Sequence, residues 1–197
     1  IGKSGKEPVL VNKRIDSKIY AGGILSVSNN LSRFCESVEV FSYVGENNSY
    51  RDFIKDSMNV NVKLNLINKK KSPTIIKRRY IDSYTNTKTM GVYDLNESDL
   101  VLEDEKSLLK KLEKIIPNSN LVVLVDYDHG LVTKNILRYI EKNALCLALN
   151  AQINSSNIGM HTLEKYNKAD FLCINESEIR HHFRLRDENL VVLAKRI

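Results

Sequence analysis

Apolar and polar positions fall in blocks along this chain, and the sharpest block is residues 121–130, Leu-Val-Val-Leu-Val-Asp-Tyr-Asp-His-Gly. The aliphatic run from Leu121 to Val125 predicts a strand covered on both faces, because so unbroken an apolar stretch has no side to give to water. The chain turns polar at once through Asp126, Tyr127, Asp128, His129 and Gly130, and residues 131–142 follow with helical spacing. A buried strand with a polar cluster at its carboxyl end and a helix behind it is how open α/β sheets build ligand sites.

The same alternation continues downstream. Residues 103–116 predict an amphipathic helix with Leu108, Leu109, Leu112, Ile115 and Ile116 inward, acids in its first turn, and Pro117 as its stop. After the 121–125 strand come a helix at 132–142, a strand at 144–149, a polar loop, a strand at 170–174 and a helix at 176–183. Strands spaced in this way pair in parallel through right-handed crossovers. Upstream, residues 9–11 and 19–20 read as short strands, and Ala21-Gly22-Gly23 precedes a helix over 24–34. A strand is expected at 38–44 and a helix at 50–58 capped by Asn48 or Ser49. Residues 60–67 alternate as a half-exposed strand, and 73–82 with 87–93 form a hairpin around the turn at 83–86. The hairpin interrupts the α/β pattern. Together with 60–67 and residues 9–11 it predicts a small second sheet, a lid over the site or a dimer surface. The expected architecture is one partial α/β domain over 1–197, Rossmann-like with a mostly parallel sheet and helices on both faces. Its lid strands lie at about 9–20 and 60–95, and its core at 21–58 and 103–197.

Composition narrows the function classes. The chain has 197 residues, 42% of them hydrophobic, which suffices for a core, and no run of transmembrane length. It starts at Ile1 without a leader pattern, so it reads as the interior of a longer chain. Lysines and arginines outnumber acids by 30 to 24, a net charge of +6. The charges are scattered and no aromatics interleave with them, so neither nucleic acid nor a membrane is the expected partner; a phosphorylated small molecule suits the same charge sign. The run Lys69-Lys70-Lys71 reads as a solvated turn. Cys35, Cys146 and Cys173 have no metal-ligand spacing; Cys146 and Cys173 lie in apolar runs and are expected as buried reduced thiols in a cytoplasmic protein.

Three polar clusters follow the parallel strands: 126–130, 150–157 and 175–178. The middle one, rich in amides and hydroxyls, suits equally a polyhydroxyl ligand and a loop that stabilises itself, with Ser156 or Asn157 as the cap of a short helix. Asn175 and Glu178 stand three apart at a helix start, a spacing that serves either an ordinary cap or the ordering of metal-bound water beside phosphates. The glycines at 22 and 23 allow close backbone approach to a ligand, or simply a turn. His161, His181 and His182 show no ligand pattern.

Taken in order, several stretches resemble the ribokinase-like (PfkB) carbohydrate kinases, nearest the kinase module of heptose-phosphate kinase/nucleotidyltransferase proteins. These are residues 6–11, the diglycine and helix at 21–31, the lid strand at 73–80, the Asp-Tyr-x-x-Gly stretch at 126–130 and the Asn-x-x-Glu stretch at 175–178. Residues 150–157 with Lys165 and Tyr166 are similar to a subgroup found in surface-polysaccharide gene settings, for lipopolysaccharide or capsule. The resemblance implies transfer of the γ-phosphoryl of ATP, with Mg²⁺, to a sugar or sugar phosphate. The half-exposed alternation of the strands over 60–93 predicts a homodimer formed through the lid sheet. The resemblance further implies sugar contacts at Gly22, Gly23, Ser26 and Asp126, substrate-phosphate contacts at Lys77 and Arg79, and nucleotide or Mg²⁺-phosphate contacts at Asn150, Asn175 and Glu178. Alternate strand residues share a face, which puts Lys77 and Arg79 together. Ser26 replaces the family's asparagine, and His129 stands where the heptose kinases have lysine. The Gly-Ala-Gly-Asp motif, with the catalytic base and anion hole, is not in residues 1–197, nor is the first-strand aspartate. The chain therefore reads as a fragment inactive by itself, belonging to a kinase or to a non-catalytic sugar-binding or dimerisation module derived from one.

Overall fold

The computed structural model describes residues 2–3, 6–7, 9–47, 49–153, 157 and 163–197. Strands β1 (Gly2–Lys3) and β2 (Leu10–Val11) pair antiparallel. Helix α1 (Ile24–Leu31) begins at Gly23, and β3 (Val38–Asn47), α2 (Arg51–Asp56) and β4 (Val62–Pro73) follow. The hairpin is β5 (Ile76–Ile81) and β6 (Lys88–Asp94). Then come α3 (Leu102–Ile115), β7 (Val122–Asp126), α4 (Lys134–Asn143), β8 (Leu147–Ala151), β9 (Phe171–Leu172), α5 (Glu176–Phe183) and α6 (Leu190–Ala194).

The chain is mixed α/β with parallel sheets, as its pattern predicts. β7, β8 and β9 form a parallel sheet in that order, with Leu124 opposite Leu149 and Leu149 opposite Leu172. Parallel neighbours need a crossover, and α4 supplies the first one. Its first turn is capped by Thr133, which accepts from the Ile136 N–H. The core lies between helices and strands. Leu108 and Leu112 of α3, Ile136, Leu137 and Ile140 of α4, and Leu124, Leu147 and Leu149 form one buried cluster with Tyr43 and Ile67 of the β3–β4 pair. A fully buried leucine such as Leu147 contributes roughly 2 kcal/mol on transfer alone.

Several expectations are corrected. The strand over 60–67 does not join the hairpin: Val62–Pro73 pairs in parallel with Val38–Asn47, through the α2 crossover. The hairpin is a two-stranded sheet by itself, and β2 pairs with β1, so the 9–20 and 60–95 stretches do not make one lid sheet. Residues 19–20 form no strand, and Ile19 and Tyr20 are exposed. The lysine run is not a turn; it continues β4, and the period of two puts Lys69 on the buried Ile67 face. At α2, Ser49 is not the cap. Tyr50 holds that position at φ 53°, and Asn48 lies outside the described residues. Residues 121–125 are not sealed on both sides, because β7 is an edge strand of its sheet: Leu121 is exposed and Val122, Val123 and Val125 are half-buried. Cys173 is exposed and Cys146 half-buried, since Cys173 follows β9 at the other edge.

Candidate functional site

The turn after β7 is held from all sides. Asp126 is 3% exposed, and its Oδ1 accepts from the Asp128 N–H at 2.8 Å. Its Oδ2 accepts from Lys165 Nζ at 2.7 Å and from the Tyr166 hydroxyl at 2.8 Å. A buried carboxylate needs such partners, and here a cation and two donors satisfy it. Burial, reinforced by the Asp126 charge, pushes the Tyr166 hydroxyl well above the usual phenol range, so it stays a donor. Asp128 and Gly130 both take positive φ, 57° and 77°. At Gly130 this is steric necessity: a Cβ there would lie 1.9 Å from the Ser98 carbonyl oxygen. The Gly130 carbonyl in turn accepts from the Leu100 N–H at 3.0 Å.

Over this turn lies the hairpin. Lys77 sits opposite Tyr93, and its Nζ is 5.6 Å from the Tyr93 ring centre and 5.7 Å from that of Tyr127. Burial, then the neighbouring Arg79 charge, lowers the Lys77 ammonium from its ordinary range. Arg79 shares that face, opposite Gly91, and is exposed. Beside them, Gly23 opens α1 at φ 56°, and its missing Cβ would stand 3.9 Å from Tyr127 Cε2. Gly22 and Ser26 are exposed, with nothing within 4 Å of a Cβ at Gly22. Gly23, Lys77, Tyr127 and His129 are thus gathered at one place, from α1, β5 and the β7 turn.

Lys69 is a residue that sequence reasoning missed as a site feature. It is 3% exposed, and its Nζ donates to the carbonyls of Asn96 (2.7 Å) and His129 (3.1 Å) while lying 4.8 Å over the Tyr43 ring. Two carbonyls and a π-face are what make a buried ammonium tolerable. Burial lowers its pKa, with Asp99 and then Glu97 opposing. The signal was there in the two-residue period of β4, hidden behind the lysines on either side.

The other expected residues gather one strand further on. Asn175 and Glu178 form a reciprocal capping box: Asn175 Oδ1 accepts from the Glu178 N–H at 3.0 Å, and Glu178 Oε2 accepts from the Asn175 N–H at 2.7 Å. Glu178 Oε1 also accepts from the Ile153 N–H at 3.1 Å. Asn150 Nδ2 donates to the Cys173 carbonyl at 2.8 Å, tying β8 to β9. The loop after β8 bridges the two groups, because the Gln152 N–H donates to the Asp126 carbonyl at 3.0 Å and Ile153 reaches Glu178. The three strand ends therefore meet, as the alternation predicts. Asn157 Nδ2 donates to the Gln152 carbonyl at 3.2 Å; Ser156, the other expected cap, lies outside the described residues. His161 lies outside them too, and His181 and His182 sit in the last turn of α5. Among the described residues, no group of three His, Cys, Asp or Glu side chains is placed to hold a metal ion.

Parallel strands, turns at their carboxyl ends and a hairpin beside them make an α/β fold similar to that of solved ribokinase-like proteins. The chain superposes on ribokinase from Giardia lamblia with a TM-score of 0.59 at 14% identity, covering 87% of this chain and 52% of that one. Phosphofructokinase-2 from Escherichia coli, solved in complex with potassium, gives a TM-score of 0.60 at 11% identity, covering 88% and 54%. By sequence the chain is 26% identical over 184 residues to the bifunctional protein HldE of Nitratiruptor sp., covering 90% of this chain and 39% of that protein. The chain therefore spans well under half the length of the curated relatives it matches. No family model matches it. None of the described helices is long and apolar enough to cross a membrane.

Proposed function

We propose that this chain is the sugar-side part of a carbohydrate kinase that moves the γ-phosphoryl group of ATP to a sugar or sugar phosphate of the heptose-phosphate type. One observation carries the reading: the diglycine, the β7 turn and the lid-like hairpin converge, with Gly23 3.9 Å from Tyr127 and Lys77 over the same ring. These are the stretches whose resemblance implies sugar and substrate-phosphate contacts. In the proposed reaction an acceptor hydroxyl oxygen bonds to the γ-phosphorus as the bridging bond to ADP breaks, and the hydroxyl proton passes to a base supplied outside residues 1–197.

The proposed roles follow the geometry. Gly22, Gly23 and Ser26 line the sugar side, and Lys77 and Arg79 take a substrate phosphate. Asp126, clamped by Lys165 and Tyr166, holds the turn in shape and presents backbone to the ligand. Glu178 is committed to two backbone N–H groups, so Asn150, Asn175 and Glu178 act by fixing the loop beside the nucleotide, and Mg²⁺ enters only as the counter-ion of ATP. The exposed apolar side chains Tyr80, Met90 and Val92 share one hairpin face and support a homodimer through it. The unpaired Cys35, Cys146 and Cys173 support a cytoplasmic setting.

The test is ATP turnover by the full-length protein with Mg²⁺ and a panel of heptose phosphates. ADP release that depends on one acceptor is the expected result. Sugar binding without ADP release from any acceptor replaces the kinase with a non-catalytic sugar-binding module, a reading favoured by the internal commitment of both the Asp126 and Glu178 carboxylates.

A further inference from the structure

His129 is 7% exposed, and among the described residues neither Nδ1 nor Nε2 has a hydrogen-bond partner. Buried polar atoms are nearly always paired, and an orphaned pair on one ring beside a ligand turn marks a place where something else supplies the partner. The ring stacks on Tyr127, with centroids 6.2 Å apart and planes within 16°. Lys77 Nζ lies 5.7 Å from that same Tyr127 ring, under the hairpin. Lys69 Nζ stands 3.1 Å from the His129 carbonyl oxygen. The imidazole therefore lies within the electrostatic reach of two ammonium groups, Lys69 buried and Lys77 half-buried, and burial together with their charges lowers its pKa.

We propose that Lys77 and His129, backed by Lys69, build an anion pocket beneath the hairpin that takes a phosphate monoester dianion together with one proton. The inference deepens the kinase reading by adding His129, Lys69 and a coupled proton to the phosphate contact proposed at Lys77; it rests on that reading only for the sugar to which the phosphate is attached. Two fixed cations and a third that charges on demand match a tetrahedral dianion better than a single carboxylate.

The groups facing the imidazole come from each element around it. Lys77 projects from β5, Lys69 from β4, Glu97 from the segment after β6, and Asp128 and Tyr127 from its own turn. Burial acts first to hold the ring neutral, then Lys77, with Lys69 adding to it; Glu97 and Asp128 oppose. An incoming dianion reverses this balance, because it is a closer opposite charge than either acid and turns the imidazole into a donor on both nitrogens. Both ring nitrogens are closed to solvent and Lys77 reaches the adjoining Tyr127 ring from β5, so in this proposal an anion enters as the hairpin lifts. β5 and β6 pair only with each other among the described strands, so no ladder to another sheet has to break.

The experiment uses sulfate, a dianion whose charge does not change between about pH 6 and pH 8, where histidine titrates. Sulfate is titrated calorimetrically into the full-length protein in buffers of different ionisation enthalpy, and the histidine Cε1–H resonances are followed by NMR. Expected are net proton uptake, binding about tenfold weaker at the higher pH for each unit by which bound anion raises the His129 pKa, and a His129 resonance that titrates later with sulfate present. His181 and His182 stay unmoved. H129Q is expected to bind sulfate with neither proton uptake nor pH dependence, and K77M to lose binding at both pH values. Equal affinity at both pH values, an unmoved His129 resonance, or no sulfate binding overturns the proposal. Sulfate binding as expected with no ATP turnover sinks the kinase reading and leaves the anion pocket standing.

Discussion

Lys165 Nζ lies 2.7 Å from Asp126 Oδ2, an ion pair in which the acid is 3% exposed and the lysine 24%. The pair joins the end of β7 to the segment before β9, across the loop after β8. Removing the cation leaves a buried carboxylate with only the Tyr166 hydroxyl and the Asp128 N–H. Lys165→Met is therefore expected to destabilise the fold by about 3 kcal/mol in urea unfolding. Adding Asp126→Asn to it should restore part of the loss, because the orphaned charge goes with it. A double variant no more stable than Lys165→Met would mean that the pair is screened and the turn is held by other contacts.

Two of the glycines in these turns should behave in opposite ways. Gly130→Ala places a Cβ 1.9 Å from the Ser98 carbonyl oxygen at φ 77°, a clash with backbone that no side-chain rotation relieves. Its expected cost is about 3 kcal/mol or more, from strain together with displacement of the 98–100 segment. Gly22→Ala meets nothing within 4 Å and should stay within about 0.5 kcal/mol of the parent chain. Thermal melts of the two variants side by side check both.

Glu178 links α5 to the loop after β8 through the Asn175 and Ile153 N–H groups. Glu178→Gln keeps one acceptor oxygen and replaces the other by a donor facing a donor. About 2 kcal/mol is the expected loss, from one charge-assisted bond removed, with a Tm lower by roughly 5 °C for a chain of this size. Amide exchange at Ile153 should speed up in the variant. Unchanged exchange there would show that the loop does not depend on the carboxylate.

Much of the fold could be read from period and punctuation. The strand–turn–helix at 121–142, the helix stopped at Pro117 and the capping box at Asn175 all depend on neighbours close in sequence, and local patterns encode them. What the pattern missed was decided by partners distant along the chain. The alternation over 60–67 fits an edge of a small sheet as well as a parallel neighbour of β3, and only the pairing of Val62 with Val38 separates the two. Lys69 is buried because Asn96 and His129 offer carbonyls from two other segments, which no local window contains. The carboxylate of Asp126 likewise is held by Lys165 and Tyr166, some forty residues on, a pairing that lies outside any local window.

The exposed cysteines give a chemical check on the strand edges. Cys35 and Cys173 are exposed and Cys146 is half-buried before β8. A thiol reagent applied to the native protein should label two cysteines quickly and the third more slowly, the third joining them in urea. Mass mapping that puts Cys173 in the slow class would require β9 to be covered by another strand or another molecule.

The last expectation concerns acid. Burial and Lys77 lower the His129 pKa in the folded chain, so the folded state resists a proton that the unfolded chain accepts near the ordinary histidine value of about 6.5. Below that value the unfolded state binds more protons, so stability rises with pH there and falls on acidification until the folded group also protonates. Lys69 and Lys77 are shifted down as well, but from the lysine range, so their linkage lies at alkaline pH and leaves this window to histidine. Urea unfolding of the anion-free protein between about pH 7 and pH 5 should show declining stability, with a shallower decline in His129→Gln, which carries no proton in either state. Parallel slopes for the two proteins would place the acid sensitivity elsewhere and show that the buried imidazole charges as freely in the folded chain as in water.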